Sequence, residues 1–251
     1  MNHKALIIGA GRMGSGYGLT PESHYYVHAK TYMDLSSRVE LVGFVEPDEK
    51  RAAFAQETWH LPTYYNIQSA MERQLEVDIV SICVQPAIQS EVFVDLSPFT
   101  RLKGIWCEKP FVTTSNWDAW PKIQVNYCRR FDALHRELKT LLANATHKRL
   151  VVMAKKDVHT VCHLTDLARY WNVDHLDYVD TPNEPGAYAL RYKLAGSWQE
   201  LFFPKGGISG DGFMRVALTN LLDAVDANVE LVSPPENAIE SEAWANKILK
   251  G

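Results

Sequence analysis

Five short, almost continuously apolar runs punctuate the first half of the chain: Lys4–Gly9, Val39–Glu46, Val77–Val84, Gly104–Glu108 and Ile123–Tyr127. The stretches Asp48–Thr58 and Ala87–Phe99 between them carry helix-forming sequence. A strand apolar at every position has both faces covered, which is the signature of a parallel sheet with helices packed on each side. Right-handed crossovers then wind the sheet in both directions from its first strand. The sequence therefore predicts a doubly wound parallel sheet over residues 1–128.

The pattern changes after Tyr127. Phe131–Leu142 and Val161–Trp171 show helical spacing, and Leu150–Ala154 is strand-like. Ala187–Leu194 and Ser197–Phe203 alternate around Ala195-Gly196, predicting a hairpin. The four glycines of Lys205–Gly212 predict a loop, and Phe213–Val225 and Pro235–Leu249 predict helices. Ser233-Pro-Pro-Glu236 fits a capping box opening the second of these. Residues 129–251 are thus expected to form a reduced α+β domain with an antiparallel sheet.

Composition narrows the function classes. Acidic residues outnumber basic ones, 30 to 26, so the chain has no cationic excess for a nucleic-acid backbone or an anionic membrane. Its apolar runs are too short to span a bilayer. Four scattered cysteines form no CxxC pair, against a zinc ribbon or disulfide scaffold and consistent with a reducing, cytoplasmic compartment. The N-terminus lacks a signal-peptide pattern.

Immediately after the first run, Gly9-Ala10-Gly11-Arg12-Met13-Gly14 matches GxGxxG. The first glycine permits the tight turn and the second lets backbone approach a diphosphate. The third lets the next helix pack closely with its N–H groups toward the phosphates. Directly after a strand this matches the Rossmann fingerprint and points to a dinucleotide, with a plain glycine turn as the competing reading. Glu46, ending the second run, is the candidate acceptor for the adenosine ribose hydroxyls. Its charge would repel a 2′-phosphate, favouring NAD over NADP. Glu46 lies 32 residues beyond Gly14, against about 20 in the usual spacing. An insertion at Ser15–Tyr26 that interrupts the first helix accounts for the excess. An ordinary strand-end carboxylate is the competing reading.

Two further clusters could carry chemistry. Glu108-Lys109-Pro110 closes the fourth run, where ligands of open α/β sheets bind. A lysine there can stabilise developing alkoxide charge; a surface lysine beside a turn is the alternative. His159, His163, Asp166 and Tyr170 fall at offsets that put them on one helical face. Imidazole is a suitable proton acceptor for alcohol oxidation. Satisfied histidines of an amphipathic helix, or a zinc site and hydrolase chemistry using His159, His163 and Asp166, compete with that reading. The HxxxH pattern lacks the glutamate of HExxH, so no metal is expected.

Together GAGRMG (Gly9–Gly14), HAKTY (His28–Tyr32), VEPDEKRA (Val45–Ala52), VDIVSICVQP (Val77–Pro86), CEKPFVTT (Cys107–Thr114), NYCRRFD (Asn126–Asp132) and CHLTDLARYW (Cys162–Trp171) resemble the glucose-fructose oxidoreductase / inositol dehydrogenase (Gfo/Idh/MocA-like) family. The chain looks like a short and divergent member. The resemblance implies a Rossmann domain followed by an α/β domain whose open antiparallel sheet serves oligomerisation, so a homo-oligomer is expected. It implies NAD held by Gly9, Gly11, Arg12, Met13, Gly14, Glu46, Glu108 and Lys109, with Lys109 and His163 acting around a substrate carbinol. Tyr127 and Arg130 lie where the family contacts substrate or cofactor, and Tyr170 is a further substrate-binding candidate. Where family members carry an aspartate four residues before the catalytic histidine, this chain has His159, and a histidine expected after the third run is Gln89.

The function expected from this reading is hydride transfer between NAD and a carbinol carbon of a sugar, polyol or nucleotide-linked sugar. Asp166 or His159 would orient the imidazole or bind substrate hydroxyls. A catalytically reduced dinucleotide-binding sensor or assembly protein is the alternative, motivated by His159 and the short second domain.

Overall fold

A computed structural model of the chain describes residues 2–74, 76–112, 120–181, 186–204 and 212–250. It divides into two compact units, Met1–Asn126 with Met214–Pro235, and Tyr127–Phe213 with Glu236–Gly251.

The first unit is built on strands β1 (His3–Ile8), β2 (Val39–Val45), β3 (Thr63–Tyr64), β4 (Ile79–Ile82), β5 (Gly104–Cys107) and β6 (Lys122–Val125). All pair in parallel, in the order β3-β2-β1-β4-β5-β6. That order is the Rossmann arrangement, with the change of winding direction beside β1. Leu6, Ile7, Val80, Ile82 and Ile105 are buried, as strands covered on both faces require. Helices α1 (His28–Asp34), α2 (Glu49–Trp59), α3 (Ile67–Arg73) and α4 (Pro86–Leu96) make the crossovers. Asp48 and Asn66 cap α2 and α3, accepting from Arg51 N and Ser69 N at 3.0 and 2.8 Å.

The later helix α7 (Phe213–Ala227) packs on this same sheet. Gln124 donates to the Ala217 carbonyl, and Leu221 and Val225 crowd Gly104. At the sheet's N-terminal end His3 lies between Asp78 and Asp226, at 2.9 and 2.8 Å.

In the second unit, α5 (Ala133–Leu142) precedes strand β7 (His147–Ala154), α6 (Val158–Tyr170), strands β8 (His175–Asp180), β9 (Ala187–Leu194) and β10 (Ser197–Phe203), and later α8 (Pro235–Lys250). The sheet order is β10-β9-β7-β8. The expected hairpin is β9–β10; β9 is antiparallel to β7, whereas β8 joins the other edge in parallel. Alternation points Tyr188, Leu190 and Tyr192 of β9 inward. There they meet Leu138, Leu164, Leu167 and Trp171 of the helical layer.

Helix α8 starts at Pro235, one residue later than a Ser233 cap allows. The Ser233 hydroxyl has no hydrogen-bond partner among the described residues, and its carbonyl accepts from Val125 N at 2.9 Å. The expected loop Lys205–Gly212 falls largely outside the described residues. No helix among the described residues is long and apolar enough to cross a membrane.

Candidate functional site

The glycine turn begins where β1 ends. Gly9 has φ +95°, and a Cβ there would lie 2.7 Å from the Cys83 carbonyl oxygen at the end of β4. A Cβ on Gly14 would lie 2.0 Å from the Gly9 oxygen, so the third glycine is demanded by the close return of the chain over the first. A Cβ on Gly11 would meet nothing within 4 Å. This is a cradle that a side chain would fill. Ser15 N donates to Gly11 O at 3.0 Å, closing one helical turn, and the first N–H groups of such a turn find no partner within it, which suits them to an anion. Arg12 is exposed and Met13 half-buried. The residues present fit a dinucleotide diphosphate.

The turn's helix is then interrupted and resumed. His28 N donates to Met13 O at 2.9 Å and Ala29 N to Gly14 O at 3.0 Å, the bonds that positions 17 and 18 make in an unbroken helix, so α1 continues the ladder across an excursion with a surplus of 11 residues. Without that surplus Glu46 stands 21 residues after Gly14, near the usual spacing. The excursion rests on α2. Trp59 Nε1 donates to Ser15 O at 2.8 Å, Tyr17 meets Phe54 edge-on at 5.5 Å, and the His24 ring lies 5.7 Å from that of Trp59.

Glu46 is buried and ties β2 to the glycine turn. Its carboxylate accepts from Ala10 N at 2.8 Å and from Asp48 N at 3.0 Å. Two oxygens offer about four acceptor positions, so these bonds leave capacity for hydroxyl donors while fixing a negative charge at the strand end.

At the end of β5, Glu108 is buried and accepts at Oε1 from Asn126 Nδ2 at 2.6 Å, with His28 Nε2 at 3.1 Å. The His28 ring packs 3.8 Å from that of Trp106, and its Nδ1 lies 3.0 Å from Ser81 Oγ, itself 2.8 Å from the Tyr32 hydroxyl. Burial alone would push the Glu108 carboxyl up. The hydrogen bond and charge of His28, the Asn126 amide and the Lys109 ammonium outweigh it and hold the group below its ordinary value. Lys109 follows, partly exposed, joined to Pro110 by a cis peptide bond. His28 and Asn126 belong to the motifs quoted above, yet their partnership with Glu108 spans 80 and 18 positions and has no local signal.

In the second unit the four-residue polar stripe of α6 does not form one open face. His159 is exposed, His163 and Tyr170 are half-buried, and Asp166 is completely buried. Asp166 accepts from Arg130 Nε at 3.0 and 2.8 Å, from Arg130 Nη2 at 2.8 Å, and from Ser241 Oγ of α8 at 3.2 Å. Burial pushes the Asp166 carboxyl up, against the opposing pull of Arg130 and Ser241. The Arg130 guanidinium also lies 5.1 Å from the Tyr170 ring centre. Tyr127 donates to Glu242 Oε1 at 2.9 Å and presents its ring edge-on to His163 at 5.8 Å. Asp157 caps α6, accepting from Thr160 N at 3.1 Å. Thus the second unit pairs Arg130 with Asp166 and Tyr170, and Tyr127 with His163. No cluster of three or more His, Cys, Asp or Glu side chains suited to a metal occurs among the described residues.

Comparison with known proteins agrees with this architecture. Residues 3–124 match the model of the Gfo/Idh/MocA group, described as an oxidoreductase family with an NAD-binding Rossmann fold. No curated protein matches the chain significantly in sequence. Among solved structures it resembles UDP-N-acetylglucosamine 3-dehydrogenase GnnA from Acidithiobacillus ferrooxidans, with TM-score 0.75, 13% identity, and 99% and 97% of the two chains covered. It also resembles a myo-inositol dehydrogenase from Corynebacterium glutamicum, with TM-score 0.73, 13% identity, and 100% and 96% covered. GenD2 of gentamicin A biosynthesis, solved with NAD, aligns with TM-score 0.71, 11% identity, and 99% and 92% covered. At such identities these likenesses speak for the fold. The segment 3–124, with its glycine turn and acidic strand end, belongs to the Gfo/Idh/MocA family of NAD-binding oxidoreductases.

Proposed function

We propose that the protein oxidises or reduces a carbinol carbon of a sugar, polyol or nucleotide-linked sugar, using NAD. The observation that carries this reading is the presentation of Lys109. It follows the carboxyl end of β5, two strands from β1 and its glycine cradle, in a turn where Glu108, Pro110 and Phe111 are all buried and the lysine alone keeps exposure. The carboxyl ends of such strands are where α/β sheets bind ligands.

In this reading the turn at Gly9–Gly14 holds the diphosphate, with Arg12 and Met13 beside it, and Glu46 accepts from the adenosine ribose. Glu108 contributes through the turn it anchors. Bound NAD supplies the hydride acceptor. Lys109 stabilises negative charge developing on the substrate oxygen, and His163, braced by the Tyr127 ring, takes the hydroxyl proton. Arg130 and Tyr170 are proposed to shape the substrate side, with Asp166 setting the Arg130 guanidinium, and His159 is proposed to meet substrate hydroxyls. The names of the structural relatives, an inositol dehydrogenase and a nucleotide-sugar dehydrogenase, motivate the substrate class. A homo-oligomer belongs to the same proposal and is read from light scattering.

The test is NADH formation from inositols, hexoses and UDP-sugars, alongside NADH binding by fluorescence. Lys109→Ala and His163→Ala should each lower kcat by about 10²–10⁴ while leaving NADH affinity within a few-fold. Unchanged turnover in both variants would refute the assigned roles. NADH binding without turnover of any panel member would replace the enzyme by a dinucleotide-binding sensor.

A further inference from the structure

The turn carrying Lys109 is gripped by one helix, through a residue with no role so far. Gln89, in the first turn of α4, is completely buried. Its amide nitrogen donates to the Glu108 carbonyl at 3.0 Å, and its amide oxygen accepts from Val112 N–H at 2.8 Å. The two bonds bracket Lys109, Pro110 and Phe111. One helical turn along α4, Phe93 meets Phe111 edge-on at 5.8 Å, so the same face supplies an aromatic contact inside the bracket. From beneath, the Glu108 side chain is held by His28 and Asn126. Main chain on both sides of the lysine is therefore fastened to rigid elements.

We infer that Gln89 is a positioning residue that sets where the Lys109 amine is delivered. What the amine does there rests on the oxidoreductase reading; the bracket itself does not. An amide suits the task because it donates and accepts at once, and holds no charge beside the Glu108 carboxylate. Methionine at this place would fill the volume and make neither bond. Glutamate would still accept from Val112 but could not donate to Glu108, and would set two carboxylates near one another. A reacting group displaced by about an ångström can lose up to about a hundredfold in rate.

The test uses the full chain carrying ¹³C-methylated lysines, with the Lys109 signal assigned by its absence in Lys109→Arg. In Gln89→Met the Lys109 signal should move or broaden and its response to added NADH should change, while NADH affinity stays within about twofold. Turnover should lose about tenfold or more in kcat with KM little altered. Gln89→Glu should show the same changes to a smaller degree, and carries the test if Gln89→Met does not fold. A Lys109 signal identical to that of the parent protein, even with a lowered melting temperature, would reduce Gln89 to a structural residue and overturn the inference. If the parent protein binds NADH but turns over no substrate, the oxidoreductase reading falls, and the Lys109 signal alone decides on the bracket.

Discussion

Replacing Asp166 with asparagine separates an anchoring residue from a chemical one. The Arg130 and Asp166 side chains are only 5% and 0% exposed, and the guanidinium meets both carboxylate oxygens. Asparagine keeps the volume, so no cavity opens, but it leaves the buried cation without its counter-charge. Breaking a buried pair from one side costs about 3–5 kcal/mol, far more than the pair would have contributed against an apolar substitute. For a chain of this size each kcal/mol moves the melting point by about 2–4 °C, so Asp166→Asn should melt roughly 6–20 °C below the parent. Calorimetry or urea unfolding measures this. The double variant Arg130→Met with Asp166→Leu should recover much of the loss, because both charges then leave together. If Asp166 instead served His163 directly, asparagine would shift stability by less than about 1 kcal/mol and cut turnover by about 10²–10⁴. That combination would refute the anchoring argument.

Two further outcomes follow from the geometry. Gly14→Ala should weaken NADH binding by at least about a hundredfold, ~3 kcal/mol, and lower the melting point, since its Cβ would lie 2.0 Å from a backbone oxygen. Gly11→Ala should keep the melting point and lose affinity alone; equal effects of both in fluorescence titration and calorimetry would contradict the cradle. Stability should also fall with pH through the buried His135, which bonds Asp132 at 2.6 Å and stacks on Trp171. Burial pushes its imidazole down despite Asp132. The unfolded chain therefore takes the proton first, and stability is lost as pH drops below about 6.5. Urea midpoints at about pH 7.5 and about pH 5.5 should differ, and differ less in His135→Gln; an equal difference in both proteins would remove His135 from the account.

What the sequence made legible was local and periodic. The five apolar runs became β1, β2, β4, β5 and β6 in the expected parallel order, because burial on both faces leaves its mark in consecutive residues. The resemblance, the two-sheet α/β fold and the NAD-binding family are borne out. Strand β8 went unread. HLDYVD is half-exposed along its length, and an edge strand of that kind carries neither a clean alternation nor a continuous apolar run.

The buried polar partnerships were illegible for a different reason. Asp166 reads from the sequence as one member of a titratable stripe, because helical phase puts it below His163. Its actual surroundings are decided by Arg130, 36 residues earlier, and Ser241, 75 later. Gln89 reads as a departure from a family pattern, yet its amide fits two backbone groups that only the fold brings to it. Spacing did speak once at long range. The surplus between Gly14 and Glu46 required an excursion within the first helix, and the ladder from Met13 to His28 closes over it. A helix can absorb such an excursion because its hydrogen bonds depend on where backbone groups stand in space, and chain connectivity enters only through the entropy of closing the loop. Motif geometry therefore survives insertion, while the identity of a buried polar partner has to be found in three dimensions.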